Sequence, residues 1–496
     1  MTPYLSLMIL IPLIGAVISF YTKTKEQARM VALVASLAAL ALAGFMYLQF
    51  DSTTADLQFV ENGEWIPSLG ITYKMGVDGI GMPLVLLTAI VIPLLIIYSW
   101  GESDRPNKLY GLILATYAGV MGVFTSLDFF LFYIFWELSI IPMYFMIHYW
   151  GGPRREYTAI KFFLFTHVAS LVMLLGIFAL YFGALAQNGY PSFDMNYLLT
   201  QFQSFESGIV KDAIFLALLF GFLVKIPSVP FHNWQPDAYV EAPISGSILL
   251  ASLLSKMGGY GLFRVMLPLL PFTGSPDTII SIVAALGVIS ILYGALMALT
   301  QRDLKRMIAF SSLSHMGFVS LGAFALVPLS VSGAMFQLFS HGLITCIMFM
   351  TIGVIQNTAG TRIIDELGGL AQKMPKLAVI MMFGFMAYLG LPGLSGFIAE
   401  FMVLTFSYIT LPVYVILAML AIVVTAGYHL WALQRAMFGG FNEKLGHIED
   451  ITSYETFSMV VFAILVLYFG LNPAPVLDMM TTSAEHIVSF MALAGV

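Results

Sequence analysis

The sequence of 496 residues has few charged side chains. Only 10% of its residues are charged, against about 25% in soluble domains, while 59% are hydrophobic. This composition excludes a soluble globular protein and predicts an all-α polytopic membrane protein. The net charge of −6 and the pI near 5.7 exclude nucleic-acid binding through a basic surface as the main function.

Cysteine and nucleotide-binding motifs are also scarce or missing. Cys346 is the only cysteine, so the chain forms no internal disulfide and ligates no iron–sulfur cluster by itself. Neither a G-x-G-x-x-G nor a G-x-x-x-x-G-K-[ST] motif occurs, which argues against nucleotide binding. We therefore expect no cofactor and no metal on this chain, and place any redox group on other chains.

Long hydrophobic runs fill most of the sequence. Runs of about 20 apolar residues mark membrane-spanning helices. Fourteen such runs are found, at 3–21, 29–49, 78–99, 109–126, 129–150, 158–186, 211–228, 244–268, 278–300, 305–326, 330–356, 376–408, 412–438 and 455–472. The first has no preceding positive residue and no clear small-residue cleavage site, so we interpret it as a retained helix rather than a signal peptide.

The distribution of Lys and Arg tests this count. If the N-terminus lies outside, 16 of the 21 Lys and Arg residues fall in inside loops. A wrong count would mix the inside and outside tallies, so we predict a multi-pass membrane protein with both termini outside. The longest outside loop, 50–77, is expected to form a small hairpin around Asn62-Gly63.

Four charged residues lie inside the apolar runs. They are Glu137, Lys225, Lys256 and Glu400. A charge at the bilayer centre costs at least ~2.5–3.5 kcal/mol, and such residues usually line an ion or proton route. We therefore interpret the four as a charge relay. The alternative is a set of ion pairs that only holds helices together.

Two of the charged runs are interrupted. Run seven contains the segment Lys225 to Pro230, with two prolines, and run twelve contains the segment Gly390 to Gly396. Proline breaks a helix, and broken helices at matching places in two halves are typical of inverted-repeat transporters. A five-helix repeat pairs run seven with run twelve, and the run of Glu137 with that of His315. We predict four parts: helices one to three (1–108), the first repeat (109–270), the second, inverted repeat (271–440), and helix fourteen with a tail (441–496).

Further titratable residues accompany the relay. His232 and Asp237 lie in the short stretch 230–245, which we interpret either as a re-entrant half-helix at an inside-facing entrance or as an interfacial loop. His315 and His341 lie mid-run and are possible relay groups or water anchors, because imidazole exchanges protons near neutral pH. A structural role is their alternative. Three other histidines are interpreted as interfacial or structural: His148, His167 and His429.

Several of these segments resemble a known family. The similarity lies in WELSIIPMYF, VKIPSVPFHNWQPDAYVEAP, SKMGGYGLFR, QRDLKRMIAFSSLSHMGF and LPGLSGFIAEF. They resemble the antiporter-like membrane subunits of respiratory complex I, in the same order and along nearly the whole chain. Glu400 makes the M type (chain 4 in mitochondrial naming) the most similar, because the L and N types and the sodium/proton antiporter homologues typically have lysine in helix twelve.

The resemblance implies one proton channel, made of two half-channels joined by charged residues at the membrane centre. By matching motif, Glu137 is the helix-five glutamate and Lys225 the helix-seven lysine. Lys256 is the bridging lysine of helix eight, and Glu400 the exit-side glutamate of helix twelve. Tyr239 stands where the family often has histidine, which puts proton exchange there in doubt.

The resemblance also implies a function and partners. The function is that of a proton-translocating subunit of an NADH:quinone oxidoreductase-type complex, driven by quinone reduction in other subunits. The implied location is an energy-transducing membrane, that of a bacterial or archaeal cell. The implied partners are L-like and N-like chains, membrane lipid and protons, with the electron donor, flavin, iron–sulfur clusters and quinone on partner subunits. Two alternatives stay open: a subunit of a multi-subunit cation/proton antiporter, and a membrane subunit of a ferredoxin-, F420- or hydrogenase-linked complex.

Overall fold

Long apolar helices make up most of the fold. The structure is a computed structural model that describes residues 3–495, and within this range twelve helices are long and apolar enough to cross a membrane. The helices in chain order are α1 Tyr4–Tyr21, α2 Lys25–Gln49, α3 Gly81–Tyr98, α4 Pro106–Thr125, α5 Phe129–Trp150, α6 Arg155–Asn188, α7 Met195–Phe202, α8 Ile209–Lys225, α9 Trp234–Glu241, α10 Ile244–Phe272, α11 Pro276–Leu299, α12 Leu304–Phe324, α13 Pro328–Ala359, α14 Pro375–Tyr388, α15 Ser395–Ser407, α16 Pro412–Met437, α17 Ser453–Leu471 and α18 Ala474–Leu493.

Both predicted helix breaks are present. The first separates α8 from α9, and the second separates α14 from α15. Gly390 and Gly393 in the second break have φ of +74° and +94°, conformations that glycine adopts far more readily than other residues. Counted as one span each, the two broken elements bring the twelve long helices of the described range to the predicted fourteen.

The segment after the first break is a buried half-helix rather than an interfacial loop. All eight residues of α9 are buried, against α6 on one side and α12 on the other. Its first residue, Trp234, donates its indole N–H to the Val224 carbonyl of α8 at 3.0 Å. This bond ties the two halves of the broken helix together across the proline segment.

The hairpin of loop 50–77 is present, but its predicted turn is wrong. Strands β1 Gln58–Ile66 and β2 Ile71–Val77 pair antiparallel, with Asn62 opposite Lys74 inside the ladder. The turn instead lies at 67–70, because Pro67 cannot donate to a ladder and Gly70 takes a φ of +66°. A Cβ on Gly70 would lie 2.0 Å from the Pro191 carbonyl oxygen, so only glycine fits there.

A last helix, α18, was not identified from the sequence. It lies on the same face of the bundle as the hairpin, where Tyr47 of α2 donates to the Pro475 carbonyl at 3.0 Å and Thr482 donates to the Ser52 carbonyl at 2.7 Å. The start of α1 lies on this face too, since the Leu5 amide donates to Glu61 of β1 at 2.6 Å. Both ends of the described chain therefore lie on one side of the bundle.

Candidate functional site

Glu400 and His315 form a pair at the second helix break. Glu400 lies on α15, and its Oε1 is 2.7 Å from Nδ1 of His315 on α12. Both side chains are largely buried, and Glu400 also borders a groove of about 440 Å³ lined by the second helix break, α15 and α16. The sequence pointed to both residues separately, and the fold brings them into direct contact.

Lys256 and His341 form a second pair, deeper in the bundle. Nζ of Lys256 lies 2.7 Å from Nδ1 of His341 on α13, and donates to the Ala251 carbonyl at 2.6 Å. Ala251 belongs to a π-helical turn, Leu250–Leu254, immediately before the lysine. Such a turn shifts the backbone hydrogen bonding by one residue and is common at functional sites. Its carbonyl serves here as an acceptor for a buried ammonium.

Tyr388 links the two pairs. It is the last residue of α14, and its hydroxyl lies 3.5 Å from Nε2 of His341, at the limit of a hydrogen bond. Its ring centroid is 4.8 Å from that of His315. A cavity of about 10 Å³ among these side chains has room for roughly one water. Lys256, His341, Tyr388, His315 and Glu400 thus form one continuous row of polar groups, which we call the central row.

Lys225 stands apart from this row. It is the last residue of α8, is only 2% exposed, and has its Nζ 5.3 Å from the ring centroid of Trp136 on α5. Within residues 3–495 no group accepts a hydrogen bond from this ammonium. A cation–π contact is therefore its main visible stabilisation.

The helices that carry the two lysines nevertheless touch. A Cβ on Gly258 of α10 would lie 2.6 Å from the backbone nitrogen of Ile226. Gly258 follows Lys256 by two residues, and Ile226 follows Lys225 by one. The absence of a side chain at Gly258 therefore lets the end of α8 approach the segment of α10 that begins the central row.

Glu137 is not bound to Lys225. Its Oε2 lies 2.9 Å from Nδ1 of His167 on α6, and its Oε1 accepts from the Ser170 hydroxyl. The sequence suggests an interfacial or structural role for His167, and the structural role fits this contact, since the residue lies well inside α6 and binds the Glu137 carboxylate. Only the helical spacing of His167 and Ser170, which places them on one face of α6, hinted at this from the sequence.

Asp237 and His232 lie at one mouth of the bundle. Asp237 is held by Lys161 at 2.7 Å, Arg154 at 3.0 Å and Arg306 at 3.5 Å. His232 packs its ring 4.9 Å from that of Tyr293 (centroid to centroid). Asp237 is thus surrounded by three cationic side chains. Neither Asp237 nor His232 contacts the central row directly.

The profile of one protein family matches much of this chain. The family is described as NADH:quinone oxidoreductase/Mrp antiporter, TM, and the match covers residues 126–427. The chain belongs to this family. The matched range includes both helix breaks and every residue of the central row.

Relatives and solved structures extend the likeness to the whole chain. F(420)H(2) dehydrogenase subunit M of Methanosarcina mazei is 63% identical over the full length of both chains. NADH-quinone oxidoreductase subunit M of Rickettsia conorii is 38% identical over 98% of this chain and 99% of that one. A chain of respiratory complex I from Thermus thermophilus has 27% identity and a TM-score of 0.87, covering 98% of this chain and 99% of that chain. One from the Mrp complex of Dietzia sp. shares the fold, with a TM-score of 0.84 over all of both chains at 18% identity.

Proposed function

We propose that this chain is the proton-translocating M-type membrane subunit of a complex I-type electron-transfer complex. Family membership supports the type of complex, and the central row supports the proton route. The 63% identity to the subunit M of an F(420)H(2) dehydrogenase favours a reduced F420 donor over NADH. Donor, flavin, iron–sulfur clusters and electron acceptor belong to partner subunits, and the chain itself carries protons only.

The proton route runs from an inside mouth at Asp237 to the outside groove at Glu400. Protons pass from the mouth to Lys225, then across the α8–α10 contact to Lys256, and along the central row to Glu400. L-like and N-like chains flank this one, and both termini lie outside. The observation that carries the proposal is the unbroken sequence of contacts from Lys256 to Glu400, each between groups that give or take protons.

Electrostatics gives Glu137 its role in this route. A carboxylate ~4 Å from an ammonium contributes ~4 kcal/mol at an effective dielectric of ~20. Pairing with Glu137 therefore favours a charged Lys225, and separation favours proton release. In the structure Glu137 is separated from Lys225, because its carboxylate is bound to His167 and Ser170 of α6.

Pumping by the assembled complex tests the proposal. Lys225→Ala and Glu137→Gln are each expected to lower the rate of donor-driven proton movement by at least about tenfold, which corresponds to ~1.4 kcal/mol in the barrier. The measurement is donor-driven acidification of inverted vesicles, normalised to the amount of assembled complex. His148→Gln is the control, since His148 stacks on Tyr144 of its own helix. Undiminished pumping in both test variants contradicts the proposal.

Co-purification separates the complex from the antiporter alternative. A complex I-type assembly contains iron–sulfur and flavin subunits, whereas a multi-subunit antiporter does not. Isolation of this chain through an affinity tag and identification of its partners by mass spectrometry therefore decides between them. Recovery of an F420-oxidising subunit supports the proposed donor, and recovery of an NADH-oxidising one overturns it.

A further inference from the structure

Glu137 has two possible cationic partners, and the structure shows it with the one that the relay does not include. Both of its carboxylate oxygens are taken by α6, one by His167 and the other by Ser170. Tyr133, one turn earlier on α5, lies beside the same carboxylate. Lys225, by contrast, has no hydrogen-bond acceptor in the described part of the chain.

The position of Trp136 places Lys225 next to the same segment of α5. Its ring holds the lysine ammonium at 5.3 Å, and it directly precedes Glu137. Consecutive residues of a helix point about 100° apart, so Glu137 lies on α5 between the α6 side and the α8 side. Turning the carboxylate from His167 towards Lys225 therefore requires a change of the Glu137 side-chain rotamer.

We propose that His167 is a positioning residue of the proton relay, which holds Glu137 away from Lys225 in one protonation state and releases it in the other. This inference rests on the proposed function. In the cationic state Nδ1–H and Nε2–H are both present, and the bond from Nδ1 to the carboxylate is charge-assisted. Lys225 then lacks its counter-ion and releases its proton towards Lys256.

Loss of the Nε2 proton reverses this preference. The Nε2 proton then needs an acceptor, a water molecule or a group of a neighbouring subunit, and the 33% exposure of the His167 side chain in the isolated chain leaves room for one to reach it. Nδ1 still donates to the carboxylate, but a neutral hydrogen bond is about half as strong as a charge-assisted one. The carboxylate then moves to the ammonium of Lys225, which favours uptake of the next proton by the lysine.

The surroundings of His167 contain few other groups that compete for this role. On α5 the titratable neighbours are Glu137 and Tyr133, and on its own helix Phe163 stacks on the imidazole at 5.1 Å. The other charged elements packed on α6 are α8, with Lys211, Asp212 and Lys225, and α9, with Asp237 and Glu241. Asp237 is already paired with Lys161, and Lys211 donates to two backbone carbonyls, of Gln203 and Phe205.

Three variants in the assembled complex test the inference. His167→Arg keeps a permanent cation beside Glu137 and is expected to lower the protons pumped per donor by roughly fivefold at every pH between 5.5 and 8. His167→Gln keeps only a neutral donor, so Glu137 should stay with Lys225: pumping should fall by at least about twofold and its pH profile should flatten over this range. His148→Gln is the matched control and should keep the wild-type profile.

The outcomes separate this inference from the proposed function. A loss of pumping in Glu137→Gln together with wild-type yield and pH profile in both His167 variants overturns the role of His167 alone. Undiminished pumping in Glu137→Gln overturns the proposed function as well. Because the larger Arg side chain can disturb assembly, subunit content is measured for each complex. The pH profile of the smaller His167→Gln variant then decides by itself, since a retained wild-type slope contradicts the inference.

Discussion

The two helix breaks carry charges of opposite sign, and within the described range only the charge at the second break is hydrogen-bonded to a partner. At the first break Lys225 ends α8 and makes no hydrogen bond with any residue of the described range 3–495, while its carboxylate Glu137 is bound elsewhere. At the second break Glu400 of α15 is bound to His315 at 2.7 Å. Within the described range, the charge at the first break therefore lacks a hydrogen-bonded partner and the charge at the second has one. In the proposed route, these are an open end and a closed end, the asymmetry that directional transfer requires.

The polarity of the broken helices explains which charge stands at which break. Lys225 occupies the C-terminus of α8, where the partial negative charge of the helix dipole favours a cation. Glu400 lies in the second turn of α15, towards the N-terminal end that favours an anion, although this effect is weaker there. Each break therefore supplies a helix end suited to its charge.

Lys256→Met has the largest expected effect, because Lys256 is the ammonium on α10 that lies between Lys225 at the first break and the rest of the central row. The substitution leaves the His341 imidazole and the Ala251 carbonyl without their shared partner. We expect the rate of donor-driven proton pumping to fall by at least about tenfold, equivalent to ~1.4 kcal/mol in the barrier. Donor-driven acidification of inverted vesicles measures this.

Lys444→Met is the control for the loss of a lysine. Lys444 is exposed on a loop away from the central row and should leave pumping unchanged. If the Lys256→Met complex pumped like this control, proton transfer between the two helix breaks would not pass through α10, and the difference between the breaks would not bear on transfer.

Sequence reasoning found the charges and the breaks but not the partners. Proline and glycine have local conformational rules, so both interruptions were predictable from Pro227, Pro230, Gly390 and Gly393. A charge inside an apolar run is equally local. The contacts of Glu137 with His167 and of Lys256 with His341 depend instead on helix rotation and rotamers across 30 and 85 residues of sequence separation. No local rule sets those.

Backbone irregularities without Pro or Gly were also missed. The π-helical turn at 250–254, LASLL, consists of residues that a regular α-helix accepts equally well. Its position follows from packing and from the demand of Lys256 for an acceptor. In the same way α18 was read as a tail, because Asp478 and Glu485 interrupt its apolar pattern, and its amphipathic face shows only once the bundle beneath it is known.

Tyr388→Phe has a smaller expected effect and tests the closed end. The variant keeps the ring that packs against His315 and removes the hydroxyl that lies 3.5 Å from His341. A hydrogen bond this long is worth ~0.5 kcal/mol, so pumping should slow by about twofold with no change in assembly.

The matched control for Tyr388→Phe is Tyr428→Phe. Tyr428 is also a buried tyrosine, but its hydroxyl donates to Ser311, outside the central row, at 2.8 Å. The control should pump at the wild-type rate. Equal rates in both variants would show that protons pass between the two histidines without Tyr388, and the row would then be shortened to the imidazoles themselves.

Arg154→Gln has the smallest expected effect and tests whether the mouth controls the open end. Arg154 is 54% exposed, so its pair with Asp237 contributes at most ~1 kcal/mol, whereas Lys161, 13% exposed, holds the same carboxylate in a drier place. Pumping should therefore stay near wild type in Arg154→Gln, and hydrogen exchange of the α9 amides should rise by less than about fivefold.

Lys161→Met should raise that exchange by several times more, because it leaves a buried carboxylate short of a partner. If Arg154→Gln instead abolished pumping, the exposed arginine rather than the separation of Glu137 from Lys225 would set the open state, and the asymmetry between the two breaks would originate at the surface of the bundle.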